Sequence, residues 1–183
     1  KMNIPEIERA LNGQVMLVDT REQDTKYLHY RLNQMGLPYE REALKFGDYS
    51  AKFPLPNGEW FSLADKCCIE RKHDISELCA NFCRSRERFE REFARASSSN
   101  ARIYLLVENV DWSKILNHEY RSKMSPEALK ASILAWLARY DCRLITCKTK
   151  ESGILIRDIL YREGKERLMQ KYIAAVEVEN ETE

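Results

Sequence analysis

Residues 67–107 read CCIERKHDISELCANFCRSRERFEREFARASSSNARIYLLV, and this stretch sets the class of fold. Cys67 to Arg71 is strand-like, an apolar start that runs into charge. From about Ile75 to Ala96 the apolar residues Leu78, Phe82, Phe89 and Phe93 return at helical spacing, which predicts a long helix with room for a break near Cys83. Ser97 to Asn100 is a loop, and Arg102 to Val107 is a buried strand. The same alternation extends outward in both directions. Upstream, Gln14 to Val18 (QVMLV) reads as a buried strand ending at Asp19, followed by a helix from about Asp24 to Met35 with Leu28, Leu32 and Met35 on one stripe and Gly36 as its stop. Strand-like pieces follow at roughly Glu40–Lys45, Asp48–Phe53 and Trp60–Leu63, with a hairpin signal in Asn57-Gly58. Downstream, Ser125-Pro126-Glu127 starts a helix that runs to Tyr140, Ser125 being the cap. Cys142–Cys147 is a third core strand and Ser152–Arg162 a final amphipathic helix. Strands alternating with helices predict an α/β domain, a mixed central β-sheet flanked by helices on both faces. It is expected over residues 14–170, with an N-terminal extension (1–13) and an acidic C-terminal tail (171–183).

Composition agrees with a single domain. The chain has 183 residues, 44% hydrophobic and 32% charged, and no apolar run near the roughly 18 residues of a membrane span. Membrane insertion and wholesale disorder are thereby disfavoured. Lys1 to Pro5 lacks the charged-then-apolar pattern of an export signal, and a Lys ahead of Met reads as the remnant of a cleaved tag, so a cytoplasmic protein is expected. The net charge is +1, but Glu177, Glu179, Glu181 and Glu183 sit together in the tail; without those four the remainder carries +5. Six cysteines contain no C-x-x-C pair, and Cys67 and Cys68 would point to opposite faces of a strand. Reduced, half-buried thiols fit this spacing better than zinc ligands or disulfides.

The misplaced polar residues cluster at strand ends, where open α/β sheets collect ligands. Asp19-Thr-Arg21-Glu22 follows the first strand, Gly47-Asp48 opens another, and Glu70-Arg71-Lys72 closes a third. On a strand Glu70 and Lys72 share one face while Arg71 points the other way. Asp48 beside that pair is the set that metal-assisted phosphodiester hydrolysis requires. Carboxylates hold a hard cation through oxygen, the cation activates water, and a lysine orients that water or neutralises developing phosphorane charge.

In that order, Val18-Asp-Thr-Arg-Glu22, Gly47-Asp48-Tyr49 and Ile69-Glu-Arg-Lys72 resemble the XPF-type endonuclease domain, a branch of the restriction-endonuclease-like superfamily. Its signature is GD, then ERK, then an acid after three more residues. The likeness runs from about Gln14 to Leu168; Phe82 to Phe93 resembles the family's helix after the active strand, and the part beyond Tyr120 looks like the bacterial and phage single-domain members. It implies that Asp48 and Glu70 are metal carboxylates, Lys72 the catalytic lysine and Asp19 a further acid at the metal edge. Arg21, Glu22 and Arg71 would contact phosphate or hold the acids. Ser76 stands where the family usually has Asp, and its neighbours Asp74 and Glu77 read as a capping box.

Arg84, Arg88, Arg91 and Arg95 form a stripe suited to phosphate, with Arg84 and Arg86 nearest the active strand; Glu87, Glu90 and Glu92 interleave and could neutralise it. His73 reads as a phosphate or solvent contact, and Trp60, Trp112 and Trp136 as core or interface. No Gly-x-Gly of a helix-hairpin-helix module occurs, so grip on DNA would come from a homodimer or a partner nuclease subunit, and the helix from Pro126 to Tyr140 suits either core or interface. The resemblance implies a Mg²⁺- or Mn²⁺-dependent DNA endonuclease acting near branches or single-/double-strand junctions and leaving a 5′-phosphate. The alternatives are a catalytically inactive nuclease fold serving as a DNA-binding or dimerisation scaffold, and an unrelated α/β domain.

Overall fold

The computed structural model describes residues 2–173. In chain order the strands are β1 (Val15–Asp19), β2 (Tyr39–Glu42), β3 (Tyr49–Pro54), β4 (Trp60–Ser62), β5 (Cys67–Lys72), β6 (Arg102–Glu108) and β7 (Cys142–Cys147). The helices are α1 (Ile4–Asn12), α2 (Lys26–Met35), α3 (Ile75–Cys83), α4 (Arg86–Ser98), α5 (Trp112–Leu116), α6 (Pro126–Arg139) and α7 (Ser152–Tyr172). The sheet runs β2-β1-β3-β5-β6-β7, with β4 attached to β3. β3 lies antiparallel to both β1 and β5, while β5, β6 and β7 are parallel, so the sheet is mixed as expected.

Helices cover both faces because the central strands are apolar on both. Met16, Val18, Tyr49, Cys67, Ile69 and Leu106 face α1, α2 and α7; Cys68, Ile103, Leu105 and Val107 face α3, α4, α5 and α6. Cys67 and Cys68 thus enter opposite cores, and all six thiols are free. The second core is aromatic: Trp136 meets Phe82 edge-on at 5.0 Å and stacks on Phe89 at 5.5 Å between ring centroids. Such pairs add about 0.5–1.5 kcal/mol beyond area burial. Trp136 is therefore core, whereas Trp60 and Trp112 keep 46% and 39% of their surface exposed.

Several elements depart from expectation for identifiable reasons. The helix expected from Ile75 to Ala96 is two, α3 ending at Cys83 and α4 beginning at Arg86, which turns the chain so that Phe82 and Phe89 both reach Trp136. Residues 4–12, expected in an extension, form α1; Asn3 and Glu6 close a capping box, and Ile7, Ala10 and Leu11 are buried. The final helix continues ten residues past Arg162. Glu163 is buried there with Arg102 at 2.7 Å and Tyr104 at 2.8 Å, and Gly164 lets Phe53 approach to where a Cβ would lie 2.3 Å from its ring. β2 stops at Glu42 because the Leu44 N–H is taken by the Asp19 carboxylate at 2.8 Å. The acidic stretch 174–183 lies outside the described residues. Among the described residues no helix is long and apolar enough to cross a membrane.

Candidate active site

The sheet order places β3 beside β5, so the Gly47-Asp48 turn lands against the charged end of β5. Gly47 has φ +74°, and a Cβ there would lie 2.6 Å from the Cys68 Cβ, so the turn accepts only glycine without displacement. Asp48 N–H donates to the Ile69 carbonyl at 2.8 Å, and the Arg71 N–H donates to Asp48 Oδ2 at 2.8 Å. The carboxylate is thus fixed by backbone on both sides. Glu70 and Lys72 project to the α3–α4 face, both buried, with Nζ 2.5 Å from Glu70 Oε1 and 5.3 Å from the Phe89 ring centroid.

The electrostatics follow from this crowding. Burial lifts the Asp48 carboxyl well above its ordinary range, and the negative charges of Glu70 and Glu22 add to the rise while Lys72 opposes it. Burial likewise pushes Glu70 to about 7, against the pull of Lys72 and with the repulsion of Glu92 behind it. For Lys72 burial would favour loss of the proton, yet Glu70 and Asp48 outweigh it and hold the ammonium charged.

The DTRE segment sits one strand away and is committed to protein contacts. Asp19 accepts from Arg21 N (2.8 Å), Arg21 Nε (2.7 Å), Arg21 Nη2 (3.1 Å) and Leu44 N (2.8 Å). Burial would raise this carboxyl, but these donors hold it below its ordinary value. Glu22 accepts from Tyr49 Oη at 2.8 Å and lies 3.5 Å from Arg31, so it braces β3 from the α2 side.

Arg71 points away from Glu70 and Lys72, as strand alternation requires, and forks onto Glu108 at the end of β6 with bonds of 2.7 and 3.0 Å. Burial raises the Glu108 carboxyl, and Arg71 more than reverses this. Asp74 caps α3 by accepting the Glu77 N–H at 2.9 Å. The Glu77 carboxylate, however, accepts the His73 N–H and stands 3.9 Å from Lys72 Nζ, so an acid from the residue after Ser76 faces the lysine. His73 is exposed and bonds Glu77 and Asp74. Arg84 and Arg88 are exposed, while Arg86 pairs with Glu90 at 3.1 Å and lies 5.3 Å from the Trp136 ring.

Two acids near this site carry no sequence signal of their role. Glu92, on α4, accepts the Gly47 N–H at 2.8 Å and so holds the turn that presents Asp48; in sequence it is one more acid among the arginines. Glu108 is 1% exposed, and its only trace is an acid closing the apolar run RIYLLV.

The donor set suits a hard divalent cation. Among the described residues no donor engages Asp48 Oδ1 or Glu70 Oε2, and the Lys72 ammonium bonded to Glu70 also acts on the half-buried Asp48 through space. Among the described residues no three His, Cys, Asp or Glu side chains group closely enough to hold a metal alone. Mg²⁺ characteristically binds through one or two carboxylates and keeps several waters, so two are sufficient.

Residues 18–159 match the ERCC4 domain family. The chain belongs to the ERCC4 domain family. Among solved structures it is similar to XPF from Aeropyrum pernix, with a TM-score of 0.58, 19% identity, and 81% of this chain covering 61% of that one. XPF from Aeropyrum pernix in complex with DNA matches with a TM-score of 0.58 and 20% identity, over 84% of this chain and 66% of that one. This ERCC4 chain therefore spans less than two thirds of those XPF chains, and the likeness is one of fold. No curated protein matches it.

Proposed function

We propose that this ERCC4 domain is a divalent-metal-dependent DNA endonuclease that hydrolyses one phosphodiester strand near a branch or single-/double-strand junction. The observation that supports it is the pair of mutually repelling carboxylates, half-buried Asp48 and buried Glu70, beside the Lys72 ammonium. Mg²⁺ or Mn²⁺ would be held by the free oxygens of Asp48 and Glu70, and when bound it supplies Lewis acidity and a lowered water pKa. Lys72, charged and fixed by Glu70, is placed to neutralise charge that develops on the attacked phosphate. Glu77 supplies a further negative group beside Lys72 where the family motif would place an acid one residue earlier.

Asp19, with its oxygens occupied, acts in this reading as the brace of Arg21 and Leu44 rather than as a ligand. The exposed Arg84 and Arg88 are placed to meet phosphate; Arg21, though 56% exposed, is paired with Asp19, and Arg71 serves through Glu108. On α6 the exposed residues Ala131, Leu134, Ala135 and Ala138 form the face through which we place pairing with a second copy, which sedimentation would report. The test of the activity is cleavage of labelled splayed-arm, flap and plain duplex DNA with Mg²⁺ or Mn²⁺, run beside Glu70→Ala. Metal-dependent cutting that is lost in the variant supports it. Binding without cutting in either metal would leave a DNA-binding scaffold instead.

A further inference from the structure

On the opposite side of the β5 end from Glu70 and Lys72 lies a cleft of about 630 Å³ between the start of α2 and the segment following β6. The Arg71–Glu108 pair is part of its lining, and Gln23, Thr25, Tyr27 and Asn109 line it further. Its charges are already matched at close range. Arg21 is 2.7 Å from Asp19, Arg71 2.7 Å from Glu108 and Arg31 3.5 Å from Glu22. A phosphate would find little uncompensated positive charge there.

Beyond those pairs the lining offers neutral groups, beside the Lys26 ammonium 5.1 Å from the Tyr27 ring centroid. The Tyr27 ring is 60% exposed, and Asn109, held at φ +59° with its N–H on the Cys147 carbonyl at 2.7 Å, donates Nδ2 to Thr149 at 2.9 Å while its Oδ1 remains an acceptor. An aromatic face beside amide and hydroxyl groups, with no net charge and room for a ring system, is chemistry for a nucleobase. The connection to the reacting centre is direct. Arg71, whose side chain lines the cleft, gives its own N–H to Asp48, and Glu77 on the rim stands 3.9 Å from Lys72. A base inside a duplex is stacked and paired, so only an unpaired one can enter.

We propose that this cleft receives an unpaired nucleobase adjoining the cut phosphate, stacked on Tyr27, and that the preference for junctions over plain duplex is read there. The proposal rests on the nuclease reading for its setting, but it is tested by binding. Anisotropy titrations in Ca²⁺ would compare splayed-arm DNA, the same DNA with a single abasic site stepped along the arm next to the junction, and plain duplex. Tyr27→Ala is expected to weaken splayed-arm binding about tenfold, in line with one lost base stack, and to leave duplex binding within about twofold. Tyr27→Phe should keep wild-type affinity. An abasic site at one arm position should reproduce the loss and add nothing further in Tyr27→Ala. The proposal is overturned if wild type does not favour the splayed arm, if Tyr27→Ala weakens both DNAs equally or neither, or if its loss adds to that of every abasic placement. Cleavage by wild type and Glu70→Ala on the same DNAs separates the two readings. Coupling of Tyr27 to one abasic position without cleavage keeps the cleft and sinks the nuclease, and cleavage without coupling does the reverse.

Discussion

Replacing Arg71 by Met separates a structural role for this residue from a DNA contact. The guanidinium forks onto Glu108, which is 1% exposed, and its removal leaves a buried carboxylate with its main partner gone. Breaking a buried pair in this way costs about 3–5 kcal/mol. For a chain of this size each kcal/mol moves the melting temperature by about 2–4 °C, so a fall of about 6–20 °C is expected. The pH dependence carries a sign as well. In wild type Arg71 overcomes the burial of Glu108 and keeps its carboxyl below the ordinary value. Without Arg71 the largest opposition to burial is gone, only the weaker Ser152 and Thr149 hydroxyl contacts remain, and the folded-state pKa is expected to move above the unfolded one. Such a group stabilises the fold below the unfolded pKa and loses that contribution as pH rises through the folded one, so the deficit should widen from about pH 5 to about pH 8. Adding Glu108→Gln removes the stranded charge and should recover most of the loss at the higher pH. Circular-dichroism melts of the two variants decide the matter. An Arg71→Met protein melting within about 2 °C of wild type at the higher pH, or a double variant no better than the single, would refute the argument.

Two further predictions concern the turn that presents Asp48. Gly47→Ala introduces a Cβ 2.6 Å from the Cys68 Cβ at φ +74°, and left-handed strain together with overpacking should cost about 2–5 kcal/mol in urea denaturation and remove cleavage; a variant with wild-type stability would show that the turn is not as tight as drawn. Glu92→Ala frees the Gly47 N–H and should lower kcat about tenfold with KM for DNA little changed, whereas Glu92→Gln, which keeps an acceptor oxygen, should restore most of it. Steady-state kinetics reads both variants, and equal activity of the alanine and glutamine forms would remove Glu92 from this role.

The alternation of apolar runs and helical stripes was enough to place the core strands β1, β3, β5, β6 and β7 and the helices α2 and α6, because those runs are buried; the exposed β2, the break between α3 and α4 and the short α5 carry no such period. Gly47-Asp48 and Glu70-Arg71-Lys72 were legible for a related reason: glycine and charge at the ends of apolar strands conflict with simple packing. The residues that escaped notice are those whose role exists only across the fold. Glu92 looks like a partner for neighbouring arginines until α4 is laid against the Gly47 turn. Glu163 looks like solvent-facing helix until Arg102 and Tyr104 on β6 are seen beneath it, which is also why α7 outruns its apolar pattern. Asp19 shows the converse. The family resemblance implies an acid at the metal edge, and what the sequence does not display is that Arg21 folds back to bond both oxygens of that carboxylate.

The sharpest cost in the fold lies at Asp48 and Glu70, and it predicts how the protein without metal should respond to pH. Burial raises both carboxyls, Glu70 from 4.5 to about 7. Their folded pKa values exceed the unfolded ones, so the stability they contribute is present below about 4.5 and is lost as pH rises through about 7. At 1.36 kcal/mol per unit, the Glu70 change alone is on the order of 3 kcal/mol. With chelator present, the protein should therefore melt several degrees lower at about pH 8 than at about pH 5. On the proposed reading a divalent cation would be held by the deprotonated pair, so excess Mg²⁺ should restore melting at the higher pH and do little at the lower. Asp48→Asn gives the decisive comparison. The amide keeps an oxygen for the Arg71 N–H and leaves the Lys72–Glu70 pair in place, but removes one of the two repelling charges. In chelator at about pH 8 it should melt above wild type by a few degrees, and it should no longer respond to Mg²⁺. If it melts at or below wild type there, Asp48 is held by its neighbours more strongly than it is repelled by them. The crowding at the end of β5 would then be ordinary structural pairing, with no charge left over for a cation to relieve.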